Sequence, residues 1–207
     1  MKQGVAVSYI LKIVMVILFF IAIWRNNWTW VWVCLLAILI TLIPSILKRN
    51  FNVTLPWILD FMITAALFVH IAGGILSLYG TFPHYDDIAH FVSSVLVAFL
   101  AFVVIYILDE YWEGLKMDKY AMAFFVVMTT MAMGVIWEFN EWATDLVFGT
   151  HEQWGLQDTM TDLLIDTIGG IIMAVVGVNM IKKGRLQRMT EDLGKWVDSR
   201  IRHNEKP

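Results

Sequence analysis

The chain has 207 residues, 59% of them hydrophobic and 16% charged, with a mean hydropathy of +0.68 and a formal net charge of -3. A soluble domain carries roughly 45–50% apolar and 25% charged residues, so this composition excludes an ordinary soluble fold, and the mild acidity does not suggest nucleic-acid binding. The single cysteine, Cys34, excludes an intramolecular disulfide.

A membrane-spanning helix needs about 20 mostly apolar residues, and six stretches meet that length, near 5–24, 28–47, 55–79, 86–108, 120–147 and 158–181. The first is too long for a signal peptide, and Ile23-Trp24-Arg25-Asn26 offers no small-residue cleavage site, so it reads as a helix that stays. Arg25-Asn26-Asn27 separates it from the second, Lys48-Arg49-Asn50 follows the second, and Pro56 opens the third. Gly80-Thr81-Phe82-Pro83 makes a turn before the fourth, a charged stretch from Asp109 to Lys119 precedes the fifth, and 149–157 forms the loop before the sixth. The ten Trp suit a polytopic protein, because their amphipathic rings favour the membrane–water boundary. The fold class is therefore all-α, a polytopic membrane helix bundle, with residues 1–181 as the transmembrane domain and 182–207 as a basic tail.

Lys and Arg set the expected orientation. With the N-terminus cytoplasmic, one side receives Lys2, Lys48, Arg49, Lys116, Lys119, Lys182, Lys183, Arg185 and Arg188, and the other only Arg25. Positive residues near helix ends stay inside, so both termini are expected in the cytoplasm of a cell with the chain in its plasma (inner) membrane. In the tail, Leu186, Met189, Leu193, Trp196, Val197 and Ile201 recur at helical spacing. That reads as an amphipathic helix on the inner membrane surface, with a frayed, solvated tail as the alternative.

The chemistry-bearing residues fall into stripes, since residues three or four apart share a helix face. Asp86 and Asp87 both precede His90 at such spacings, and Glu138, Glu141 and Asp145 follow at i, i+3, i+7 with Gly134 a turn earlier. Asp158, Asp162 and Asp166 run i, i+4, i+8 into Gly169-Gly170, and the third span adds His70 with Gly73, Gly74 and Ser77. Counting at 1.5 Å per residue, His90, Glu141 and Asp162 lie about 6–9 Å below the outer boundary, and His70, Glu138 and Asp166 about 12–15 Å below it.

No Lys or Arg occurs between Arg49 and Lys116, or between Lys119 and Lys182. Buried carboxylates without basic partners are costly, so these acids call for bound cations or for protons. Asp, Glu and His suit hard or borderline divalent metals such as Mg, Mn, Fe or Zn. Plain structural roles compete with this reading. Asp86, Asp87 or Asp158 can serve a helix N-terminus, His70 can be a hydrogen-bonded packing residue, and Asp145 a solvated outer-end residue. Glu138, Glu141, Asp162 and Asp166 are too deep to cap anything. The glycine pairs serve packing, and the methionines show no copper-binding series.

The stretch from His70 through Leu78-Tyr79-Gly80, then Tyr85-Asp86-Asp87-Ile88-Ala89-His90, resembles the YjdF-type bacterial inner-membrane family of unknown function. So do Trp137-Glu138-Phe139-Asn140-Glu141 and 158–166, and the resemblance spans about residues 60–175. It implies a membrane location and no reaction.

The leading expectation is a metal-dependent membrane enzyme whose site faces the extracytoplasmic side and acts on a lipid or other amphiphile. Asp87, His90, Glu138, Glu141, Asp162 and Asp166 are the expected ligands of one or more divalent ions (Mn, Fe, Zn or Mg), with His70, Tyr79 and Asp86 as supporting or proton-handling groups. The alternative is a proton- or cation-coupled transporter using the same carboxylates. Expected partners are membrane lipids, not nucleic acid, and a homo-oligomer stays open. Lys12 and Asp60, charges inside the first and third spans, are expected to pair.

Overall fold

The computed structural model describes residues 2–112 and 114–204, with side chains from 4 to 199 except 113. The described residues form helices and no strand: α1 Lys2–Trp24, α2 Trp28–Thr41, α3 Ile43–Phe51, α4 Trp57–Ile75, α5 Leu78–Thr81, α6 Tyr85–Tyr111, α7 Lys119–Phe148, α8 Leu156–Lys182 and α9 Arg185–Asn204. Six of these stretches are long and apolar enough to cross a membrane: Gly4–Trp24, Trp28–Phe51 (α2 with α3), Trp57–Ile75, Tyr85–Tyr111, Lys119–Phe148 and Leu156–Lys182. In a bilayer core the helix is the natural solution, because it satisfies every backbone polar group within its own segment. Exposed Ile10, Ile13, Ile17 and Phe20 on α1 and Ile171, Ile172 and Val175 on α8 are the surface such helices turn to lipid.

Packing divides the chain into two compact units, residues 1–85 with 189–207, and residues 86–188. In the first unit Met15, Leu18 and Ala22 of α1 meet Val31, Cys34 and Ala37 of α2 and Ile71, Ala72 and Ile75 of α4. Two charges lie inside this apolar unit. Lys12 Nζ is 2.6 Å from Asp60 Oδ1, and Ser8 Oγ donates to Asp60 Oδ2 at 2.5 Å, so the expected pair exists. Arg25 donates to the carbonyl of Ile75 at 2.6 Å, satisfying a group left open at the end of α4.

Two breaks interrupt what the hydropathy pattern presents as continuous spans. The second span is split at Leu42, with Pro in the opening turn of α3, where its missing N–H costs nothing. The third ends at Leu76, and Ser77 takes the left-handed conformation (φ 57°) before the single turn of α5. The tail is helical as α9, but its apolar stripe faces protein. Leu186 is buried, Met189, Leu193, Trp196 and Val197 are half-buried, and the Trp196 ring meets Phe51 edge-on with centroids 5.8 Å apart. Ile201, the last residue of the expected stripe, has a side chain outside the described residues.

In the second unit α7 and α8 pack along their length, and small residues permit the close approach. A methyl at Gly170 would press on Thr130 of α7, one at Gly169 on Ser94 of α6, and one at Gly177 on Phe102 of α6. The buried stripe of α8, comprising Asp162, Asp166, Gly169, Gly170, Met173, Ala174, Gly177 and Val178, is thus shared between α6 and α7.

Candidate metal centre

Helix geometry selects which acids converge. Asp86 and His90 are one turn apart at the start of α6, and Asp162 and Asp166 one turn apart near the start of α8. His90, Asp162 and Asp166 are buried, at 6%, 1% and 5% exposure, and Asp86 is half-buried. His90 Nδ1 lies 3.4 Å from the Asp166 carboxylate. An ionised carboxylate only accepts hydrogen bonds, so the proton of a neutral ring belongs on Nδ1 and the lone pair on Nε2. That Nε2 faces Asp86 Oδ1 at 3.9 Å and Asp162 Oδ1 at 4.0 Å. Both distances are too long for hydrogen bonds. Asp86, His90 and Asp162 each offer a ligand atom within 4.8 Å of the other two.

Gly134 of α7 makes this arrangement sterically possible. A methyl there would fall on Asp166 Oδ2, the oxygen that faces His90 Nδ1. One turn further along α7, Glu138 is 4% exposed. Its Oε2 accepts from Gln153 Nε2 at 3.3 Å, and the same amide donates to Thr159 Oγ1 at 3.2 Å. Glu138 Oε1 and Asp162 Oδ2 are buried oxygens with no hydrogen-bond partner among the described residues.

The other expected site residues stand as follows. Asp87 is half-buried and lies outside the three-residue group, because a shift of one position turns it about 100° round the helix from Asp86. Glu141 is half-buried and accepts from Trp137 Nε1 at 2.8 Å, which ties it to its own helix. His70 and Tyr79 belong to the first unit, where His70 Nδ1 and the Tyr79 hydroxyl are 3.0 Å apart. There the Tyr79 ring meets Tyr85 edge-on at 5.3 Å, and the Tyr85 hydroxyl donates to the carbonyl of Val69 at 2.8 Å.

Two residues have roles the sequence reading did not assign. Asp145 accepts from Thr150 Oγ1 at 2.6 Å and from the backbone N–H groups of Glu152 at 2.7 Å and Gln153 at 3.0 Å. It thereby folds the 149–155 loop back and delivers the Gln153 amide to Glu138. An Asp near a helix C-terminus followed by Gly149 and Thr150 is a turn signal, but nothing in the local pattern announces that Gln153 points at an acid.

The family model described as "Predicted membrane protein (DUF2238)" matches residues 6–183, and the chain belongs to that family. An uncharacterized protein of Thermotoga maritima is 28% identical over 144 residues, covering 69% of this chain and 72% of the relative. No solved structure matches the chain.

Proposed function

We propose that this DUF2238 membrane protein binds a divalent cation between Asp86, His90 and Asp162 and uses it as a metal-dependent enzyme acting on a lipid or other amphiphile. The observation that carries the reading is His90 Nε2, set 3.9 and 4.0 Å from two carboxylate oxygens while Nδ1 is held by a third carboxylate. Those separations are too long for direct hydrogen bonds, and a contraction of about 0.3–0.7 Å brings the atoms to the spacing of tetrahedral ligands around one ion at about 2.0–2.2 Å each. A ligating histidine typically gives its other ring N–H to a carboxylate, which fixes the tautomer, and Asp166 supplies that carboxylate. Two carboxylates and a neutral imidazole balance a divalent charge, in stretches (50–115 and 120–181) that contain no Lys or Arg. The ion would supply Lewis acidity and an activated water. Within a few residues of the site along the same helices, exposed Ile88 and Phe91 of α6, Trp142 of α7 and Leu164 of α8 provide apolar surface suited to an amphiphile.

Manganese(II) added to the purified protein is expected to raise its thermal unfolding midpoint, and His90→Gln and Asp86→Asn are expected to lose that response. A ligand at 100 times its Kd stabilises by about 2.7 kcal/mol, which is readily measured. A wild type whose midpoint ignores Mn, Fe, Zn and Mg salts would sink the metal reading and favour a proton-coupled transporter.

The same proposal places both termini in the cytoplasm of a bacterial cell and opens the site to the extracytoplasmic side. It rests on the distribution of Lys and Arg along the chain. In a Cys34→Ala background, His151→Cys should react with a membrane-impermeant thiol reagent in intact cells and Arg188→Cys should not. The opposite labelling pattern would place the site on the cytoplasmic side.

A further inference from the structure

The contact register between α7 and α8 reaches one turn beyond the three-residue centre. A methyl at Gly170 would touch Thr130, and a methyl at Gly134 would touch Asp166. The step of four from Thr130 to Gly134 on α7 is matched by a step of four back from Gly170 to Asp166 on α8, as antiparallel neighbours require. The next step brings Glu138 level with Asp162. Both are more than nine-tenths buried, and each keeps one carboxylate oxygen, Glu138 Oε1 and Asp162 Oδ2, without a partner among the described residues. The remaining Glu138 oxygen is held by Gln153, while Asp162 Oδ1 faces His90 Nε2. Asp162 therefore offers one oxygen to the centre on α6 and leaves a second one buried on the same side chain.

We infer that Glu138 and Asp162 hold a second divalent cation, with Asp162 bridging it to the ion at Asp86 and His90. The inference rests on the single-ion reading above and extends it to a two-metal centre. Buried carboxylate oxygens left unsatisfied are expensive, and a hard cation with oxygen ligands relieves two of them at once. With Asp162 shared between them, two such ions would supply Lewis acidity toward a phosphoryl or carbonyl oxygen and an activated water. The substrate class is then narrowed to amphiphiles with an ester or phosphoester linkage, whose hydrolysis consumes one water and needs no oxidant or reductant.

Manganese(II) is the probe, because two bridged ions give a spin-coupled multiline paramagnetic resonance spectrum and an isolated ion gives six lines. After equilibration with Mn(II) and removal of excess, wild type should retain two ions per chain and show the coupled spectrum. Glu138→Gln, which keeps the side chain's shape and its contact with Gln153, should retain one ion with a six-line spectrum. One uncoupled ion in both proteins would overturn the second site and leave the first standing. No ion in either would remove both. The wild-type spectrum decides without any variant, so a Glu138→Gln protein that fails to fold leaves the test intact.

Discussion

Gly134→Ala is expected to destabilise the protein and to weaken its response to divalent metal, although residue 134 bears no ligand. A methyl there would overlap Asp166 Oδ2 and press on its Cγ and Cβ, and Asp166 is buried. Overpacking of this kind costs about 1–3 kcal/mol, or a fall of roughly 2–12 °C in the unfolding midpoint for a chain of this size. The larger consequence is positional. If α8 moves away from α7, Asp166 loses His90 Nδ1, the imidazole is no longer held with Nε2 toward Asp86 and Asp162, and metal affinity falls. Loss of a carboxylate that orients a metal-bound histidine typically costs 10–100-fold in affinity. Gly80→Ala is the control, because nothing lies within 4 Å of a methyl there and its φ is not left-handed. A Gly134→Ala protein that melts and binds Mn(II) as wild type does would refute the packing argument.

Asp60→Leu is expected to cost more than Lys12→Met, and the double variant Lys12→Met/Asp60→Leu less than Asp60→Leu alone. The Lys12 and Asp60 side chains are 21% and 24% exposed, with nitrogen and oxygen 2.6 Å apart. Asp60 also accepts from Ser8 Oγ, and Ser8 lies 3.2 Å from Thr64 Oγ1, with both hydroxyl residues buried. Removing Asp60 leaves an ammonium without its counter-charge and a buried hydroxyl without its acceptor. Breaking a fully buried pair costs about 3–5 kcal/mol, and the partial exposure here reduces the expectation to about 2–3 kcal/mol. Removing Lys12 leaves Asp60 still held by Ser8 and costs less. Replacing both charges with apolar groups leaves no unpaired charge, so a double-mutant cycle on thermal unfolding should show coupling of about 1–2 kcal/mol. Strict additivity would mean that the pair contributes nothing to the first unit.

Much of this architecture is legible without coordinates because it follows from periodicity and length. A run of about 20 apolar residues has to become a spanning helix in a membrane, and the six spans follow. Helical spacing alone puts Asp86 with His90 and Asp162 with Asp166 on shared faces. The scarcity of charge inside the spans makes a Lys12–Asp60 pair the natural expectation, and the two atoms lie 2.6 Å apart.

What the tertiary structure decides is rotation, register and the paths of short irregular segments. Asp86 and Asp87 both lie within a turn of His90 in one dimension, and only the rotation of α6 against α8 brings Asp86, with His90, into one group with Asp162. The breaks at Leu42 and Ser77 are hidden by unbroken hydropathy, since hydropathy counts apolar side chains and is blind to φ. The apolar stripe of α9 marks an amphipathic helix, but whether it faces lipid or protein depends on a partner such as Phe51, far away in sequence. The Gln153–Glu138 contact depends on how Asp145 folds a loop. The facing of Glu138 and Asp162 depends on the register of two antiparallel helices, set by Gly134 and Gly170. The chain by itself determines which residues share a helix face. Which faces meet, and at what height, is a property of packing, because it requires atoms from helices the local pattern cannot see.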